Sequence, residues 1–374
     1  MIFQIIFKKK NALRLVVIVT VVLAVQCQAM ERDGFQGLSS IVCTKPEYSF
    51  GNPAVDSIAN AEDKKSVHTF GQMVAWKNNY LLISSPLMNV KGNRGRLTVL
   101  NTKTREIVWS IKGTFYNISF CSQGLEFAAI ITDQQDNMYE SHVYAIKSRQ
   151  KTMSHHNQEY WVSCLLEWIS RDEIIICSGE KMYKMNLKTA AMSDFLMSKD
   201  CYGYPRCVAI RNGGIAEMTI GGKDEIKIVD SVTGVVKKAS PPLGKLVCSL
   251  SWNSDGEKLL ACVNSSYIDE IGSLWVYSLD NLDEPILKLR NRSVRAKWLD
   301  NDRIVTTDGT RIYIQKDDDT IEKIFQKIGE NSDAINDCDF INDICINSEG
   351  TKIASATKNS VDIWPIDDEK LTEK

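Results

Sequence analysis

Cysteine offers the widest chemical scope in this 374-residue chain, with eleven present. Cys248 and Cys262 lie near the two ends of LVCSLSWNSDGEKLLACV (246–263), where two alternating apolar runs flank a polar turn. With Trp252 set across that turn from Lys258, the two thiols fall opposite one another. The same count from the turn after Trp168 sets Cys164 opposite Cys177. Cys201 and Cys207 bracket a short loop containing Pro205, and Cys338 and Cys345 form another close pair. In an oxidising compartment these are candidate disulfides. In a reducing one, strand cysteines act as small buried apolar side chains.

Other chemistries find less support. His155 and His156 are adjacent, so on a strand they point to opposite faces and do not both face one ion. Cys201-x5-Cys207 and Cys338-x6-Cys345 lack the tight spacing of structural zinc sites. Asp337, Asp339 and Asp343 lack the glycine that a calcium loop needs, and Asp317 to Asp319 read as a solvated turn. There is no G-x-S-x-G elbow, no P-loop and no G-x-G-x-x-G motif opening a helix. We therefore expect no cofactor, no metal and no catalytic residue. Three N-glycosylation sequons begin at Asn117, Asn264 and Asn291.

The elements that carry these residues repeat. Copies of one unit, an alternating run, a turn and a second run, occur at 69–86, 116–133, 161–179, 206–222, 246–263, 294–309 and 341–358. Each is followed by a third β-type run (RLTVLN, HVYAI, KMYKMNL, IKIVD, SLWVYSL, RIYIQ, VDIWPI), and six by a fourth, such as EIVWSIKG (106–113) or IEKIFQKI (321–328). A unit recurring at roughly 40 to 50 residues is the four-stranded blade of a β-propeller. Tryptophans close the first run at Trp76, Trp168, Trp252 and Trp298, where a large flat side chain packs between neighbouring blades. The expected fold is thus all-β, with seven antiparallel four-stranded blades.

SWNSDGEKLLACV and CINSEGTKIASATKNSVDIWPI make residues 67–367 resemble a WD40-type propeller, with VDIW near where a Trp-Asp pair would stand. No repeat ends in Trp-Asp, none carries Gly-His, and four histidines do not supply the family's Asp-His-Ser-Trp set in most blades. FGQMVAWKNNYLLISSP followed by GRLTVL is similar to an FG-GAP repeat, over blade one only and without its acidic calcium loop.

Ring closure requires an outer strand for blade seven, because an open edge invites pairing with other molecules. After Ile366 only DDEKLTEK remains, so the strand is expected from the N-terminal side, at Ser39 to Thr44, with residues 30–66 as a lead-in and 368–374 as a polar tail. Residues 1–29 combine Lys8, Lys9, Lys10 and Arg14 with the apolar run Leu15 to Val25 and read as a signal peptide cleaved after Ala29. An uncleaved anchor, or a true start at Met30, are the alternatives. Cleavage removes four of the 45 basic residues and none of the 47 acidic ones, leaving a net charge of −6. Such a body has no footprint for nucleic acid, and no stable membrane insertion is expected unless the leader is an anchor.

The function expected is a non-enzymatic scaffold, secreted or in the ER lumen, that binds a protein or peptide through loops on one face. Met88, Arg94, Tyr139 and Tyr267 are its candidate contacts, since exposed Met, Arg and aromatic side chains are enriched in interfaces. The rival readings are an intracellular WD40 scaffold or ubiquitin-ligase adaptor, and an enzyme with its site at the channel mouth.

Overall fold

The computed structural model describes residues 46–51, 73–85, 95–121, 123–133, 138–157, 165–178, 181–196, 207–211, 217–222, 224–264, 272–289, 295–326, 340–357 and 360–366, all within the unit Val42–Lys374. They form seven four-stranded antiparallel sheets arranged in a ring, a seven-bladed β-propeller. Blade one is β2 (Met73–Lys77), β3 (Tyr80–Ser85), β4 (Arg96–Asn101) and β5 (Glu106–Lys112). Blade two is β6 (Thr114–Phe120), β7 (Glu126–Asp133), β8 (Met138–Ala145) and β9 (Gln150–Asn157). Blade three is β10 (Leu165–Trp168), β11 (Glu173–Ser178), β12 (Lys181–Asn186) and β13 (Met192–Leu196). Blade four is β14 (Cys207–Ile210), β15 (Glu217–Gly221), β16 (Ile226–Asp230) and β17 (Val236–Ala239). Blade five is β18 (Leu246–Trp252), β19 (Lys258–Asn264), β20 (Ser273–Ser278) and β21 (Leu287–Leu289). Blade six is β22 (Arg295–Trp298), β23 (Arg303–Thr307), β24 (Ile312–Lys316) and β25 (Ile321–Phe325). Blade seven is β26 (Asp343–Ile346), β27 (Lys352–Ala356) and β28 (Ser360–Pro365), completed by β1 (Tyr48–Gly51).

Burial explains the sequence pattern strand by strand. The second strand of a blade is covered on both faces by the neighbouring blades, so it is a continuous apolar run: Leu81, Leu82 and Ile83 in β3, and Leu259 to Val263 in β19, are all buried. The outer strands are less uniformly covered: no residue of β5 is buried, whereas Lys323 to Phe325 of β25 are. Seven apolar clusters fill the seven seams, one per pair of neighbouring blades. Each fully buried Leu or Ile contributes about 1.5–3 kcal/mol. Trp76, Trp168, Trp252 and Trp298 each pack back onto the preceding blade, in the place expected from their spacing. In blade seven, where VDIW stands, Trp364 Nε1 donates to Ser355 Oγ at 2.8 Å.

A repeated turn joins the third and fourth strands. In NTKTR, NLKTA and DSVTG the side-chain oxygen of Asn101, Asn186 or Asp230 accepts from the backbone N–H groups two and three residues on. The fifth position holds a positive φ at Arg105, Ala190 and Gly234. Glycine is needed at the last of these, because a Cβ on Gly234 would meet the Phe195 carbonyl oxygen at 2.2 Å.

The ring closes through an N-terminal strand, but at Tyr48–Gly51 rather than Ser39 to Thr44, which lie outside the described residues. Pro46 precedes it, where the missing N–H takes nothing from the ladder. The first hydrogen bond comes from Glu47 N–H to Ile363 O at 2.7 Å. Glu47 also pairs with Arg105 at 3.0 Å and Lys352 at 2.6 Å, so one exposed carboxylate ties blade seven to blade one.

The hairpin registers correct two expectations. Trp252 faces Leu259, and a bulge between Val247 and Ser249 then shifts the pairing, leaving Ser249 opposite Cys262 and Cys248 as the extra residue. Cys248 and Cys262 are not bridged. In blade three Trp168 faces Ile174, so Leu165 and not Cys164 stands opposite Cys177. A one-residue slip moves every side chain to the other face of a strand, which defeats pairings read from sums of residue numbers.

Candidate functional site: the charged channel

The seven inner strands line the lumen of the ring. Counted back from the tryptophan position, the residues two apart (Val74, Leu166, Leu250, Ala296, Ile344) face the preceding blade. The intervening ones face the following blade and the lumen. Their hydrogen bonds run in that direction: Ser119 Oγ donates to Glu167 Oε1 at 2.8 Å, Ser249 Oγ to Ala296 O at 3.1 Å, and Val74 N–H to Asp343 Oδ2 at 3.1 Å.

Among the described residues four charged side chains occupy lumen positions: Glu167 from blade three, Arg295 and Lys297 from blade six, and Asp343 from blade seven. Arg295 Nε lies 4.0 Å from Asp343 Oδ1, whose side chain keeps 22% of its surface accessible within the channel. Burial pushes the Glu167 carboxyl above its ordinary value, opposed by the Ser119 hydrogen bond and the Lys297 charge. Asp343 is raised in the same way, against the pull of Arg295 and Lys297. Both carboxylates spend acceptor capacity on the wall itself, Glu167 on Ser119 and Trp168 N–H, Asp343 on Val74 and Ile344 N–H. Lys297 is exposed to the lumen and donates to no described residue, although Glu167, Asp343 and Cys345 all feel its charge. The arrangement can therefore take up an anion or exchange protons with one, in a wall whose own charges balance.

A second charged feature lies at the turns between first and second strands. Ser254, Asp300, Asn301, Asp302, Arg303 and Lys316 line a shallow hollow of about 390 Å³ between blades five and six. Its charges are taken up locally, by Arg303 with Asp300 at 2.7 Å and by the neighbouring Lys258 with Asp317 at 2.6 Å. A ligand there would have to displace these pairs.

The residues singled out from sequence are distributed differently. Met88, Arg94, Tyr267, Cys164, Cys201, Cys338 and Asn291 lie outside the described residues. The backbone of Tyr139 is the second residue of β8, opposite Thr132. Asn117 sits within the inner strand of blade two, half-buried, and Asn264 ends β19. Cys121, Cys207 and Cys345 are free thiols, so the bridges expected at Cys207 and Cys345 are not formed. Cys207 points into the seam with blade five, 3.5 Å from Val247 O, and burial pushes its thiol far above the usual range. Cys345 is buried against blade one, with the same effect. None of the four channel charges except Asp343 was anticipated, and that one only as a poor calcium ligand. Aligning the copies on their tryptophans would have exposed Glu167 and Lys297 as charged residues in a column otherwise made of Ala, Ser and Cys, and Arg295 and Asp343 two positions earlier in a column with Met73, Asn117, Leu165, Cys207 and Ser249.

No protein-family model matches the sequence, and no curated protein matches it. Among the described residues no helix is long and apolar enough to cross a membrane.

Proposed function

We propose that this protein is a non-enzymatic scaffold that binds a protein or peptide partner and enters the secretory pathway through its leader. The observation that carries the binding role is the ring itself. Seven packed seams hold the second and third strands of the blades in one orientation, so β3, β7 and β19 end and β4, β8 and β20 begin on the same side of the ring. A rigid frame lowers the ordering cost of binding at the segments that join these strands. Met88, Arg94, Tyr139 and Tyr267 belong to them or to the strand residue beside them, and serve as the contacts. The leader supports the secretory route, with Asn264, the last residue of β19, and Asn291 as acceptors.

The test is expression of the full-length protein with its own leader, followed by glycosidase treatment and cross-linking mass spectrometry on the producing cells. A mobility shift lost in Asn264→Gln or Asn291→Gln, with partner cross-links on the 86–94 and 265–271 side, supports the proposal. An unshifted product starting near Met30 sinks the secretory half. Cross-links confined to the opposite turns sink the assignment of contacts.

A second reading, an intracellular scaffold, draws on the free thiols at Cys121, Cys207 and Cys345, which suit a reducing compartment. Thiol trapping in the native protein separates the two.

A further inference from the structure

Among the described residues the Lys297 ammonium has no hydrogen-bond acceptor. Lys297 and Arg295 are alternate residues of β22, so both project to the lumen side of blade six. Arg295 is engaged with Asp343 at 4.0 Å, whereas Lys297 donates to no described residue. The carboxylates across from it and beside it are held back by their own blades: Ser119 and Trp168 fix Glu167, and Val74 and Ile344 fix Asp343. They offset its charge through space without closing on it. At the level of Lys297, one residue before the tryptophan position, the other blades contribute Glu167 and the small residues Ala75, Ser119, Ala209, Ser251 and Cys345. At this level Ser119, Ala209 and Cys345 are buried and Ala75 and Ser251 half-buried, whereas the Lys297 side chain is exposed.

We propose that Lys297, with Arg295 beside it, receives a carboxylate carried by the partner peptide into the channel. This rests on the scaffold reading and adds to it the chemistry that the partner must present. A carboxylate suits the site better than a phosphate does. Among the described residues two cations balanced by two carboxylates leave little net positive charge, and a dianion would be repelled by Glu167 and Asp343, while a monoanion needs only the Lys297 ammonium. The carboxylate has two sources, an acidic side chain or a peptide C-terminus. Lysine is a suitable receptor because its charge is compact and its stem can follow the ligand.

The experiment is reductive 13C-methylation of the full-length protein, which keeps the lysine charge, with the Lys297 resonance assigned by its absence in Lys297→Arg. Three peptides are titrated: acetyl-pentaglutamate amide, acetyl-pentaalanine with a free C-terminus, and acetyl-pentaglutamine amide. Inorganic phosphate is the fourth probe. A saturable shift of Lys297 with pentaglutamate assigns the carboxylate to a side chain, and one with pentaalanine assigns it to a C-terminus. No shift beyond that caused by pentaglutamine overturns the proposal, as does a larger shift with phosphate than with either carboxylate peptide. Once cross-linking has identified a partner, Lys297→Met is expected to weaken its binding at least tenfold and Lys297→Arg to restore most of it. Undiminished binding to Lys297→Met overturns the channel assignment and leaves the scaffold reading intact. Failure of the unmodified protein to bind any partner overturns the scaffold reading instead.

Discussion

Trp76 and Trp252 occupy the same place, at the foot of an inner strand, and each packs back on the preceding blade; beyond that the two seams differ. Between blades four and five the seam is apolar around Trp252, Leu250, Leu259 and Ile228, and its polar links include the Trp252 indole to Thr219 Oγ1 at 3.0 Å, Arg211 to Gly256 O at 2.8 Å and Lys238 to Leu279 O at 2.8 Å. Between blades seven and one the apolar cluster is joined by a half-buried carboxylate, Asp343, on the Val74 amide. It is joined too by Ser348 Oγ, which accepts from Asn78 N–H at 2.9 Å, and by the bifurcated Glu47 pairs. Blades four and five are consecutive in the sequence, so covalent continuity limits how far they separate. Blade seven is assembled from both ends of the propeller, and there directional bonds do the aligning.

Deleting residues 1–51 gives the largest effect. Without β1 the edge of β28 is unpaired, and we expect loss of a single cooperative urea transition together with aggregation visible by light scattering. A truncated protein that unfolds like the intact one would show that the seam between blades seven and one does not depend on its closing strand. Trp252→Ala and Trp76→Ala come next, each about 3–5 kcal/mol by urea denaturation. Equal losses support equivalent apolar work in the two seams; a much smaller loss at Trp76 would show that polar links carry the closing seam.

Asp343→Ala leaves the Val74 amide without its acceptor, and about 1–3 kcal/mol is expected. The pH dependence sharpens this. Burial raises the folded-state carboxyls of Asp343 and Glu167 above their ordinary 3.8 and 4.5, so the folded protein binds these protons more tightly than the unfolded one. Their contribution is full below the ordinary values and is lost as pH rises through the raised ones. The double variant Glu167→Gln, Asp343→Asn should therefore gain stability relative to the parent as pH rises through that window, read from urea midpoints. A difference that is flat with pH would break the argument. Glu47→Ala is the smallest change, about 0.2–1 kcal/mol and diminished by salt, because its partners are exposed.

The blades were legible because middle strands have no solvent face: LLISS and LLACV announce burial on both sides, and tryptophans mark the ends of four of the seven inner strands. Register was not, because nothing in the run LVCSLSW distinguishes the bulged Cys248 from a paired residue. The closing strand was placed several residues early for a similar reason, as SSIVCT and YSFG are both β-formers on either side of Pro46. The channel site was hidden by distance along the sequence. Glu167, Lys297 and Asp343 meet only because the ring closes, and short-range spacing carries no trace of that.

The closing strand also sets an order in time. Glu47 and Lys352 touch although 305 residues separate them. At about 5–20 residues per second, roughly 15–60 s of synthesis pass between the two. The first strand made is thus the last one used. Until blade seven emerges the growing polypeptide carries a finished edge with no partner and a finished strand with no sheet, and the complete ring forms only after β28 has been made.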